Sequence, residues 1–84
     1  MILLHFKQYD IMMEENKLDG RVRKNVRIGA DVEIVQKQDQ RSGRLTSGIV
    51  DRLLTKSPNH PHGIKVLLDT GEVGRVKYVL LEEE

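Results

Sequence analysis

Through most of the chain, apolar and polar positions alternate in short runs that polar or glycine-bearing corners separate. Val32 and Ile34 alternate with Asp31 and Glu33, and a period of two predicts a strand with one buried face. The stretch Asp39-Gln40-Arg41-Ser42-Gly43-Arg44 follows as a polar hairpin loop, whose glycine can take a positive φ at no steric cost. From Leu45 to Thr55 the apolar residues fall in adjacent pairs, Ile49-Val50 and Leu53-Leu54. Such pairing suits a strand that carries a bulge or strong curvature, with Gly48 where the bend begins. Two prolines stiffen the loop Ser57-Pro58-Asn59-His60-Pro61-His62-Gly63 and keep their preceding residues out of helix. Ile64, Val66 and Leu68 then alternate with Lys65 and Leu67, and Asp69-Thr70-Gly71-Glu72 makes a tight turn. The chain returns over Val73 to Val79, expected with Arg75 and Lys77 on one face and Val76 and Tyr78 on the other.

This pattern predicts a mostly β protein, a small SH3-like β-barrel of four to five short strands over residues 21–81. Closure protects the strand edges, and Gly29, Gly48 and Gly74 stand where bends are needed. The expected core is Val32, Ile34, Val50, Leu53, Ile64, Val66, Leu68, Val76 and Val79. Before it, Ile2, Phe6, Tyr9 and Met13 recur at helical spacing. Residues 1–20 are therefore expected to be an N-terminal extension, either an amphipathic helix or disordered, joined to the body through a polar stretch. Met12 and Met13 are alternative starts of translation, so residues 1–11 need not belong to the natural protein. Residues 82–84 are an acidic tail.

Composition sharpens this picture. At 84 residues the chain is one domain, since domains commonly run to roughly 100–150 residues, and a multi-domain enzyme is excluded. Without cysteine it has neither disulfides nor a thiolate metal cage. No run of about 18 apolar residues exists, and Met1 to Leu4 lacks the flank of a signal peptide; a cytoplasmic protein, not a membrane one, is expected. The net charge of +1 conceals an asymmetry, because residues 21–81 carry twelve basic and six acidic groups while both ends are acidic. A basic body suits an anionic partner, or acidic ends that fold over it, as well as an ordinary solvated surface.

Candidate catalytic groups are sparse. Val66-Leu67-Leu68-Asp69-Thr70-Gly71 is similar to the Asp-Thr-Gly segment of retroviral-type aspartic proteases. That family places a small residue after the glycine and most of its fold beyond, whereas here Glu72 follows and the chain soon ends, so the segment is expected to be a turn. His60 and His62 flank Pro61 and could present two imidazoles to a metal, but zinc takes three or four ligands and the remaining histidine is His5. No cysteine or serine nucleophile sits in a recognisable elbow and no phosphate loop occurs. The expectation is a non-enzymatic protein without metal or cofactor.

The basic side chains are the better candidates. Arg21, Arg23, Lys24 and Arg27 cluster before the barrel, Arg41 and Arg44 lie on the first hairpin loop, and Lys65, Arg75 and Lys77 belong to the last two strands. The arginine fork suits phosphate oxygens, and neutralised phosphates make binding salt-dependent. Past residue 20 Tyr78 is the sole Phe, Trp or Tyr. That scarcity disfavours a proline-peptide groove, a methyl-lysine cage and an extended stacking platform, and leaves backbone contacts with His60 or His62 as partial stackers.

Asn25 to Leu80 resembles the YwbE-like family, small uncharacterised bacterial proteins with fungal relatives. The resemblance rests on Ile34-Val35, Lys37 with Asp39-Gln40, Ser42-Gly43-Arg44-Leu45-Thr46, Gly48-Ile49-Val50, the string Ser57 to Val66, and Gly71 with Val73-Gly74-Arg75-Val76. It implies an SH3-like barrel and no established activity. Gly48-x-Val50-x-x-Leu53 also looks like the glycine-containing strand of KOW-type barrels in ribosomal and transcription proteins, a likeness at the level of fold. The expected function is an RNA- or ribosome-associated binding module that contacts phosphates through Arg41, Arg44, Lys65, Arg75 and Lys77, with His60, Pro61, His62 and Gly63 as a partner loop at the rim. The alternative is a protein-interaction adaptor without nucleic-acid binding, and the chain is expected to be a monomer or weak dimer.

Overall fold

The computed structural model describes residues 16–81. Five strands form one sheet: β1 (Lys17–Asp19), β2 (Asp31–Gln36), β3 (Thr46–Leu53), β4 (Lys65–Leu68) and β5 (Val73–Leu80). Their order is β1-β5-β2-β3-β4, and an additional β4–β5 pairing closes β2 to β5 into a barrel. Every pairing is antiparallel. Short 3-10 turns occupy Arg23–Asn25 and Lys37–Asp39, and no α-helix occurs among the described residues. The mostly β SH3-like barrel read from the sequence is the fold, and the helical spacing of Ile2 to Met13 lies outside the described residues.

The core is aliphatic. Val32, Ile34, Ile64 and Val66 are wholly buried, and Val26, Val50, Leu68, Val76 and Val79 nearly so. Leu53, expected inside, is half-buried and packs against this cluster from its margin. Val26 was hidden among cations in the sequence. Its N–H donates to the Arg23 carbonyl at 2.9 Å, and the 3-10 turn thus closed delivers an isolated valine to the core.

Two bulges set which side chains face inward. In β3 the register shifts between Val50 and Arg52, leaving Asp51 unpaired across from β4. This is the irregularity that the Ile49-Val50 and Leu53-Leu54 pairs demanded, although it lies three residues beyond Gly48. At Gly48 a side chain would meet the Leu68 Cδ1 at 2.5 Å, so that glycine makes room for a core leucine. In β5 Glu33 pairs with Tyr78 but Ile34 pairs with Val76, so Lys77 is bulged out. Alternation therefore fails at Lys77: Val76 and Val79 are both buried, and Tyr78 leaves the face of Val76 on which period two had placed it.

A second correction concerns the stretch expected to be extension. Lys17–Asp19 pairs with β5 in the register Lys17 to Leu80, Leu18 to Val79 and Asp19 to Tyr78. Leu18 packs against the core, and the N–H of Gly20 donates to the Lys77 carbonyl at 3.2 Å. Polar composition masked a three-residue edge strand whose single apolar side chain points inward.

Candidate functional site: a basic cleft beside the proline loop

The Ser57 to Gly63 loop is held by backbone bonds at both ends. The Arg23 N–H donates to the Pro58 carbonyl at 2.8 Å, and the His60 N–H to the Arg21 carbonyl at 2.9 Å. Val22 and Asn59 form an isolated bridge between them. At the far end the Gly63 N–H donates to the His60 carbonyl at 3.0 Å, and Ile64 donates to Gly20 and accepts from Val76. Gly63 has φ +104°, and a Cβ there would lie 2.4 Å from the Val76 carbonyl oxygen. Only glycine satisfies both demands.

Arg75 braces this loop from β5. Its Nη1 donates to the Gly63 carbonyl and to Thr55 Oγ1, each at 3.3 Å. Thr55 Oγ1 also accepts the Lys65 N–H at 2.8 Å. Lys65 lies directly across from Arg75 in the β4–β5 pairing, so two cations share one side of the sheet.

A cleft of about 640 Å³ opens beside the brace. It is lined by Arg75 and Lys77 of β5, Pro61 and His62 of the proline loop, Gln40 and Gly43 of the β2–β3 connection, and Val35 of β2. No acidic residue lines it. Of the nine residues proposed from the sequence, the structure brings Arg75, Lys77, Pro61 and His62 together there. Arg41 and Arg44 are exposed neighbours of the lining residues Gln40 and Gly43 rather than part of the wall. Their loop is ordered by the Gly43 N–H, which donates to the Asp39 carbonyl at 2.8 Å, and by Ser42, whose hydroxyl accepts the Arg44 N–H at 3.1 Å. Lys65, His60 and Gly63 also stay outside the lining: Lys65 flanks Arg75, and the other two shape the loop.

His60 is half-buried. Its Nδ1 accepts the His62 N–H at 3.1 Å, a contact that requires the ring nitrogen unprotonated and leaves the proton on Nε2. Burial, with Arg75 and His62 nearby, pushes its pKa down. The two imidazoles are 5.9 Å apart and tilted by 50°. Among the described residues no group of three or more histidine, aspartate or glutamate side chains gathers as a metal would need.

A second cleft of about 600 Å³ adjoins the first, sharing Pro61 and Lys77 with it. Lys17, Arg21 and Tyr78 also line it. The Lys17 ammonium lies 4.8 Å from the Tyr78 ring centroid, a cation over a π-face. Its one carboxylate, Asp19, pairs with Arg21 at 2.8 Å. That guanidinium holds Asp19 down to about 2, and Asp19 raises Arg21 in return. Sequence reasoning missed Lys17 as a site residue because it falls in the presumed extension. Strict alternation puts Tyr78 on the face of Val76, and the bulge at Lys77 takes it off that face.

The Asp-Thr-Gly segment occupies the β4–β5 turn. Gly71 has φ +102°, its N–H donates to the Leu68 carbonyl at 2.9 Å, and the Thr70 hydroxyl donates to the Glu72 carboxylate, which lowers that carboxyl.

Comparison with known proteins places this geometry in a family context. Residues 19–79 match the model of the family described as "Uncharacterized conserved protein (DUF2196)". The chain is 46% identical over 63 residues to the "Uncharacterized protein YwbE" of Bacillus subtilis (strain 168), an alignment covering 75% of this chain and 97% of that protein. No solved structure matches.

Proposed function

We propose that this chain, which belongs to the DUF2196 family of YwbE-like proteins, is a non-catalytic, cytoplasmic RNA-binding module. The observation that carries this is the cleft in which Arg75 and Lys77 face Pro61 and His62 with no acidic residue among the lining groups. A lone surface cation is commonly neutralised by a neighbouring carboxylate. Among the described residues one ion pair forms, Arg21 with Asp19; Lys77 acts on Asp19 only through its field, Arg75 is held by Gly63 and Thr55 through Nη1, and neither cation forms a salt bridge that an external anion would have to displace. Arg41 and Arg44 extend the positive surface beyond Gly43, and Lys65 extends it beyond Arg75.

Phosphates are the fitting anions, because a repeated charge rewards several spaced cations through counterion release. The test is binding of the intact chain to total RNA and to ribosomes at about 50 and 200 mM salt. Four phosphate contacts predict a loss of roughly 50- to 150-fold between those conditions. Replacing Arg41, Arg44 and Lys77 by Gln should weaken binding and flatten the salt dependence. Salt-insensitive or absent binding would sink the reading and favour the adaptor alternative, for which nuclease-resistant capture of a single protein is the corresponding result.

A further inference from the structure

The two clefts meet at Pro61 and Lys77, which line both, and this adjacency bears on the form of the ligand. To these shared residues one cleft adds Arg75, His62 and Gly43, and the other Arg21, Lys17 and Tyr78. Cations line both clefts, and the single carboxylate, Asp19, is already paired with Arg21 at 2.8 Å. Planar groups line both as well, with His62 in one and Tyr78 in the other.

We infer, resting on the RNA-binding reading above, that this pair of clefts takes single-stranded rather than duplex RNA, with the backbone on Arg75 and Lys77 and a base against Tyr78. A groove that interleaves cations with π-faces is the general solution for unpaired strands, since every base has a face to stack while the phosphates follow the charge. An A-form duplex keeps its bases stacked inside and offers phosphates and 2′-hydroxyls over a broad surface. It would meet the rim cations Arg41 and Arg44 without entering the clefts. Lys17, whose ammonium lies over the Tyr78 ring at 4.8 Å from its centroid, has to swing aside for a base to take that face, and its flexible stem then leaves the charge within reach of the adjoining phosphate.

The experiment compares the intact chain binding a 12-nucleotide single-stranded RNA with a duplex of the same sequence and its complement, at about 50 and 200 mM salt. The single strand should bind at least about tenfold more tightly at the lower salt. Tyr78→Leu should weaken it by at least about fivefold and leave the duplex affinity and the salt slope unchanged. Tyr78→Phe, which keeps the ring, should restore most of that loss, and a thermal melt of each variant separates a lost contact from a lost fold. Lys77→Gln should reduce the single-strand salt slope by about 0.7. Equal or tighter duplex binding, an unaffected folded Tyr78→Leu, or a Tyr78→Phe as weak as Tyr78→Leu would each overturn the single-strand inference while leaving a polyanion surface intact. Failure to bind either RNA overturns both proposals.

Discussion

The His62 N–H donates to Nδ1 of His60 across Pro61 at 3.1 Å, so the neutral imidazole of His60 is part of the loop's structure. Protonation puts a hydrogen where the acceptor lone pair was, and burial together with Arg75 and His62 already disfavours the cation. A group whose folded pKa lies below its unfolded value binds more protons when unfolded, so its stabilisation is full above the unfolded pKa of about 6.5 and declines as pH falls through it. Unfolding followed in urea should therefore show stability falling from pH 7.5 to 5.5. His60→Gln should remove most of that slope. Asp19 adds nothing in this window, because its folded value of about 2 and its ordinary 3.8 both lie lower. A wild-type slope that persists unchanged in His60→Gln would refute the assignment.

Gly63 and Gly43 both have positive φ, but only Gly63 is crowded. An added Cβ meets the Val76 carbonyl at 2.4 Å at Gly63 and nothing within 4 Å at Gly43. Gly43→Ala should cost about 1–2 kcal/mol, the penalty of left-handed backbone alone. Gly63→Ala should cost clearly more, since the loop must leave β5 to admit the methyl group, and chemical-shift changes should extend to Val76. Equal midpoint losses in urea would show that the close approach to Val76 carries no weight.

Thr55 tests positioning apart from charge. Its hydroxyl accepts from both the Lys65 N–H and Arg75 Nη1. Thr55→Val keeps the shape and changes no formal charge, and should cost about 1 kcal/mol of stability. If Arg75 binds phosphate in the orientation that Thr55 and Gly63 impose, RNA affinity should fall in Thr55→Val with the salt slope unchanged. An affinity equal to wild type would mean the brace serves the fold alone.

The core makes a simpler claim. Ile34 is wholly buried whereas Leu53 sits at the margin. Ile34→Ala should cost about 2–5 kcal/mol, enough to unfold much of a domain this small, and Leu53→Ala about 1 kcal/mol. Denaturant midpoints with unchanged m values would check both, and a Leu53→Ala as costly as Ile34→Ala would contradict the boundary drawn here.

What was legible in the sequence was whatever depends on near neighbours in the chain. Val32 and Ile34 alternate because a strand with one buried face requires it, the adjacent pair Ile49-Val50 announced a bulge in β3, and Gly43 and Gly71 marked turns with positive φ. Arg75 and Lys77 could be named as candidates because a basic strand face is visible as a string of residue types. The rest was decided by pairing between distant segments. The bulge at Lys77 arises where β5 must meet β2, and no residue near Tyr78 records it. Lys17–Asp19 is a strand only because β5 offers it an edge, and Val26 is core only because a 3-10 turn points it inward. The candidate site has the same origin: its lining comes from β1, the β2–β3 connection, the proline loop and β5, and only the pairing of β5 with β1, β2 and β4 brings Lys17, Pro61, His62 and Lys77 together.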